Sequence, residues 1–325
     1  MARGMFDNLL QTPAYTDADK EWHITLDQSK FIWYDLLQDS PKEVDTKKLI
    51  VEHMKALEQS VKDHLDKRFI YFLATRKRVR FCTAKLPKYS IFTGELILYL
   101  EIGNSKKKKK ISISIYDSKT QKRIKPRVQI TEKYIRIYRS NDESMMMPIH
   151  DFLNTYDLSI GESTEVHYVG YTSQPSVRPL NGVHKGLNRV LYQNANGDQD
   201  FFLVYNLFKV MVRASAKTNG IEFIIANSMI NEIDAEAEGK IIEKILITYF
   251  DTPLQDDNRI AEEGELKNSL AKFLNKNRIA SIHFQIEMDE PNEYFRFFSK
   301  TMQPTDRHNF VCTLSPSGEV LLKPE

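Results

Sequence analysis

Cysteine is nearly absent from this 325-residue chain: Cys82 and Cys312 stand alone and far apart. No CxxC or HExxH pattern occurs, which argues against a disulfide framework or a zinc site. Long apolar runs are missing too. No stretch of about 18 apolar residues appears, and Met1 to Gln11 lacks a continuous apolar segment. Neither membrane insertion nor export is therefore expected, and a reducing cytoplasm is the default compartment. No internal repeat is visible. What is present is ordinary for a globular protein, with 41% hydrophobic and 11% aromatic residues, in a chain long enough for two or three domains.

The net charge of +2 hides an asymmetry. From Lys67 to Lys88 there are eight Lys or Arg and no acidic residue, and Lys106 to Arg127 adds ten more against Asp117 alone. Residues 232–265 reverse the sign, with eleven Asp or Glu against Lys240, Lys244 and Arg259. A basic stretch attracts a polyanion by counterion release, while an acidic one offers carboxylates to a cation. Either run also serves as a plain solvated face.

Periodicity divides the chain. Asp45 is placed to cap a helix over 46–66, where Leu49, Ile50, His53, Leu57, Val61 and Leu65 recur at three- and four-residue spacing. The period then becomes two, predicting strands at 69–73, 79–81, 95–102, 111–116 and 134–138. If 75–81 is extended, Arg76, Arg78 and Arg80 share one face at about 6.6 Å intervals, a strip suited to phosphates. The run Lys106 to Lys110 is expected in a hairpin loop. After a boundary at 140–148 the order becomes strand (165–171), helix (179–193), helix (200–214), strand (220–226) and helix (234–250). The last sixty residues return to strands. The class is α+β, with a basic N-terminal antiparallel-sheet domain (1–147), a middle domain (148–260) and a C-terminal β-rich extension (261–325).

The middle domain holds the candidate chemistry. Tyr168-Val169-Gly170 ends a strand, Arg178 follows ten positions after the tyrosine, and His184 six later; Glu243 lies in the helix at 234–250, and Asn258 fifteen positions beyond it. Glu243 falls beside Leu246, Ile247 and Phe250, where a carboxylate is costly without a partner. A divalent cation would compensate, with room left by Gly239 one turn earlier; a stem lying along apolar surface with its head in water is the other reading. In order and spacing these residues resemble the GIY-YIG nuclease family over roughly residues 151–260. The first motif departs, with Asn154-Thr155-Tyr156-Asp157 in place of Gly-Ile-Tyr.

The resemblance implies a small β-β-α-β-α core and a site in which Glu243 holds Mg2+ or Mn2+. Arg178 and His184 would act on the phosphate, Tyr168 or Tyr156 would assist the attacking water, and Asn258 would fix the site. His184 is equally placed as a packed helix-edge residue, and Asn258 as a turn former. The expected function is a metal-dependent DNA endonuclease in restriction or phage defence, with a homodimer as the form that cuts both strands. A catalytically inactive nucleic-acid-binding module and a structural or protein-interaction component are the alternatives.

Overall fold

The computed structural model describes residues 3–41, 43–64, 68–117, 120–138, 144–177, 180, 185–193, 197–216, 220–252, 259–288 and 292–325. A single helical turn, α1 (Pro13–Thr16), leads into the 15-residue strand β1 (Asp19–Trp33). Helices α2 (Asp35–Gln38) and α3 (Thr46–His64) follow. Then come β2 (Phe69–Lys77), β3 (Val79–Phe81), β4 (Lys88–Ser90), β5 (Glu95–Ile102), β6 (Lys107–Ile113), β7 (Arg127–Ile130), β8 (Tyr134–Tyr138) and β9 (Ser144–Pro148). The chain continues through α4 (Ile149–Thr155), β10 (Thr164–Thr172), α5 (Lys185–Gln193), β11 (Gln199–Ser215), β12 (Glu222–Ala226) and α6 (Asn227–Ile230). It ends with α7 (Ala235–Phe250), α8 (Arg259–Asn277), β13 (Ile279–Glu287), β14 (Phe297–Phe298), β15 (Arg307–Leu314) and β16 (Val320–Pro324).

Nine strands form one sheet in the order β14-β10-β2-β11-β1-β13-β15-β16, with β12 on β11 beyond the end of β2. Neighbours are antiparallel except β1 with β13 and β10 with β14. Two small sheets, β3-β5-β4 with β6 and β7-β8-β9, stand apart from it. The α+β class holds. The large sheet, however, draws strands from each of the stretches 1–147, 148–260 and 261–325, so those boundaries do not separate independent sheets.

Alternation along β2 shows how both faces are covered. Phe72 meets Phe250 of α7, with ring centroids 5.4 Å apart, and belongs to the larger core that α4, α7, α8 and the small sheets close. Tyr71, one residue away, points to the other side, where α2, α3 and α5 lie. Two of the expected helices start at side-chain caps, the first of them, Asp45, as its sequence predicts. The Lys48 N–H donates to Asp45 Oδ1 at 3.0 Å, and Asp234 Oδ1 accepts from the Glu236 and Ala237 N–H groups at 3.0 and 2.9 Å.

Several expectations need correction. The stretch 200–214, expected as a helix, is the strand β11. It runs between β1 and β2 with both faces buried, and a continuous apolar run of this kind loses the alternation that marks a half-buried strand. Helix α8 occupies part of the supposed β-rich extension. Lys107 to Lys110 form β6 rather than a hairpin loop. The first 45 residues, which show no clear period, supply β1 at the centre of the sheet.

His308 on β15 is 1% exposed, packs against the Tyr249 and Phe250 rings, and burial pushes its pKa down to about 4. The unfolded chain takes up this proton near pH 6.5 while the folded one resists until about 4, so stability falls as pH drops through that window. His308→Gln should be less stable at pH 7, and the gap to wild type should narrow by about 2 kcal/mol by pH 5. Urea unfolding at the two pH values measures it, and a constant gap contradicts the buried neutral state.

Candidate functional site

Tyr168 and Gly170 lie on β10, next to β2. The Tyr168 ring stacks on Tyr71, centroids 6.1 Å apart, on the face covered by α2, α3 and α5. Gly170 is required by that packing: a Cβ there would lie 2.5 Å from the Tyr71 ring and 2.9 Å from Tyr168. The glycine thus admits a neighbouring tyrosine.

Glu243 sits on α7, against the opposite face. Its Oε1 accepts the Tyr171 backbone N–H at 3.0 Å, joining the helix to the end of β10. The room expected beside Gly239 is filled by the Arg68 stem, whose Cβ would lie 2.9 Å from an added methyl, with the Tyr171 ring at 3.5 Å. Tyr156 follows α4 and packs on Phe152, at 5.0 Å, so no motif strand exists at that position. Arg178, His184 and Asn258 lie outside the described residues. Tyr168 and Glu243 therefore face opposite sides of one sheet, and the helix expected between His184 and the next strand is β11. Neither feature belongs to the β-β-α-β-α core that the resemblance implies.

The arginine strip is also reorganised. β2 ends at Lys77 and β3 starts at Val79, so the three arginines do not form one exposed row. Arg76, 2% exposed, lies over the Tyr294 ring at 3.9 Å and donates to Glu293 Oε1 at 2.7 Å and to the Glu293 carbonyl at 2.6 Å. Arg80 donates to both carboxylate oxygens of Asp200 at 2.8 Å. Arg78 donates to the Gly197 carbonyl at 3.2 Å. A guanidinium left unpaired in these interior positions would carry a large desolvation cost, which explains why Arg76 and Arg80 are matched to carboxylates.

Around Asp200 a buried polar chain forms that no local motif announces. His150 of α4 is fully buried, with Nε2 2.9 Å from Asp200 Oδ2 and Nδ1 2.9 Å from the Tyr294 hydroxyl. Burial lowers the His150 pKa against the pull of Asp200. Burial pushes the Asp200 carboxyl up, but its hydrogen bond to His150, the charges of His150 and Arg80 and the Val79 N–H outweigh that and hold it below the ordinary value. An imidazole that donates through Nε2 to Asp200 and sets Nδ1 against the Tyr294 hydroxyl fits this geometry. The dyad resembles a catalytic pair, yet its enclosure leaves no surface for a substrate, so it acts as a joint between α4, β3 and β11.

The exposed charge lies elsewhere. Residues 79–138 carry 15 Lys or Arg and 4 Asp or Glu, leaving 31 against 40 for the rest of the chain. On the outer face of the small sheet, β5 presents Ile97 and Tyr99 opposite Ser112 and Lys110 of β6, with Lys88 of β4 across from Ile97. Lys85 Nζ stands 4.3 Å over the Tyr99 ring. The β4–β5 turn closes through the Gly94 N–H to the Ser90 carbonyl at 2.8 Å, with Gly94 at φ 68°, and holds Ile91 and Phe92 85% and 101% exposed.

Among the described residues one group of three could hold a metal ion, formed by Glu21, His23 and His283. No helix among them is long and apolar enough to cross a membrane. Comparison with protein-family models, curated proteins and solved structures found no match to the chain.

The buried role of Arg76 yields a direct test. Arg76→Ala should lower the unfolding free energy by about 3–5 kcal/mol, because it strands part of a buried ion pair and opens space beneath Tyr294. Chemical denaturation reads this out. Native stability combined with weakened DNA affinity would return the residue to a phosphate strip.

Proposed function

We propose that this chain is a nucleic-acid-binding protein that grips the phosphate backbone with the outer face of β4, β5 and β6. The concentration of positive charge in residues 79–138, set against an acidic remainder, is the observation that carries the reading. Lysines 85, 88, 108 and 110 flank an aromatic and an aliphatic side chain on one sheet face, an arrangement that combines counterion release with ring faces for bases. Phe92 at the adjoining turn adds an exposed ring able to stack on an unpaired base or wedge into a step. Glu101 and Glu95 on the same strand keep the face from being uniformly basic and favour contact along a defined track.

Phosphodiester hydrolysis through a magnesium on Glu243 is not part of this proposal. That carboxylate receives a backbone N–H of β10, and Tyr168 points away from it. What remains of the nuclease expectation is its binding half. Nothing in the face reads base edges in a defined register, so the binding is electrostatic and tolerant of sequence.

Fluorescence anisotropy with random single-stranded and duplex DNA across a salt series tests this. Affinity should fall steeply with salt, and replacing Lys85, Lys108 and Lys110 together by Ala should reduce the slope by about two to three. Phe92→Ala should cost about 1–3 kcal/mol on the single strand. Salt-independent binding, or a slope unchanged in the triple variant, would remove this face from the interface.

A further inference from the structure

The sheet face opposite Trp22, Ile24, Ile282 and Phe284 carries a second constellation, distant from the basic unit. In the parallel pairing of β1 with β13, His23 is the register partner of His283 and Glu21 that of Ser281. Because Trp22 and Ile282 are fully in the core, alternation turns these four side chains to the uncovered side. The two imidazoles stack, centroids 4.7 Å apart and planes inclined by 14°. Glu21 Oε2 lies 3.7 Å from His23 Nε2.

One local fact is not explained by folding alone. His23 Nε2 is buried from solvent and has no hydrogen-bond partner, although its own ring is only half-buried. Two stacked imidazoles beside a carboxylate, one of them with an unused nitrogen, form a donor set that lacks its acceptor. His283 is oriented differently: its Nδ1 is 2.7 Å from Glu325 Oε1, and its Nε2 is 3.0 Å from the Ser281 hydroxyl.

We infer that Glu21, His23 and His283 form a three-ligand site for a divalent transition metal ion of the zinc type. The ligand atoms lie within 4.8 Å of one another. Tetrahedral zinc with bonds near 2.0–2.2 Å places its ligand atoms about 3.4 Å apart, so the Glu21 and His23 atoms are almost at that spacing already. The third ligand closes in by a turn of an imidazole about χ2, a broad and soft torsion for histidine. That turn also takes the rings out of their stack, which both ligand lone pairs require, since each must lie in its ring plane. Two imidazole nitrogens and one carboxylate suit zinc, cobalt, nickel or copper, and not magnesium, which prefers an all-oxygen octahedral shell.

The surroundings supply what such a site needs. With His283 bound through Nε2, its Nδ1–H donates to the Glu325 carboxylate, the outer-shell arrangement that fixes a ligating histidine's tautomer and orientation. Arg213, the register partner of Glu21 on β11, makes its ion pair with Glu222, while its charge also acts on Glu21. Three protein ligands leave a fourth position open to water or an exogenous ligand. Two residues further along the ladder, where Thr25 pairs with Gln285, the surface carries a shallow polar depression lined also by Leu26, Glu287 and Met288.

The test uses the full chain, free of any histidine tag and stripped with chelator. Titration with zinc chloride by calorimetry should give one equivalent bound in the micromolar range or tighter, with magnesium giving no heat. Substituting cobalt should produce the visible absorption of a tetrahedral centre. His23→Gln and His283→Gln should each weaken zinc binding at least about 100-fold while leaving the circular dichroism spectrum unchanged, since both side chains are partly exposed. Glu325→Gln should weaken it about tenfold through the outer shell. Absence of a zinc heat in wild type, or wild-type affinity retained in both histidine variants, overturns the site.

Discussion

The joint on which the rest of the architecture depends is the buried carboxylate of Asp200. From the first part of β11 it accepts the Arg80 guanidinium, the Val79 backbone N–H and the His150 imidazole. Those three donors come from β3 and α4, the elements that open and close the basic unit running from β3 to β9. A second pair, Arg76 with Glu293, does the same work one strand turn earlier and joins β2 to the segment before β14. Buried ion pairs of this kind add little net stability compared with apolar packing, but breaking one is expensive. The Asp200 cluster fixes where β3 and its small sheet attach, and the Arg76–Glu293 pair ties β2 to the segment before β14.

That constraint sorts the basic residues by type. The arginines nearest the joint turn inward, because a planar fork can satisfy both oxygens of a carboxylate and is less strongly hydrated than an ammonium. The lysines stay out: Lys85, Lys88, Lys108 and Lys110 remain on the surface, with Lys85 over an aromatic ring. The same stretch of sequence thus provides both the interior mortar and the exterior charge. On the proposed nucleic-acid-binding reading, a polyanion would meet ammonium groups on a sheet held in place by buried ion pairs.

The sequence was most legible where structure is local. Asp45 and Asp234 start their helices because a cap needs only the next two or three backbone N–H groups, and the period-two strands from 95 to 138 are half-buried on one side. β11 and β1 were illegible for the opposite reason. β11 is buried on both faces and has no alternation to show, while β1 acquires its meaning only from partners near residues 202–215 and 279–285. The order Tyr168, Glu243 is preserved along the chain, but linear order does not say which face of a sheet a residue occupies. A tyrosine on the even side of β10 and a glutamate on a helix packed against the odd side can share spacing with a motif and never share a cleft.

The same reasoning explains the Glu21, His23 and His283 cluster. Metal motifs are recognised in sequence when one turn or hairpin brings the ligands together, so their spacing is short and fixed. Here a parallel strand pair does so, and parallel strands require a long crossover between them. The separation of His23 from His283 is therefore set by everything folded in between, including β2, β10, β11 and the basic unit, and is free to vary without moving the ligands. Absence of a CxxC or HExxH pattern excludes the locally spaced sites alone. A site assembled across a parallel ladder can be found only once register is known, because a one-residue slip of β13 would send His283 into the core beside Trp22 and put Phe284 in its place.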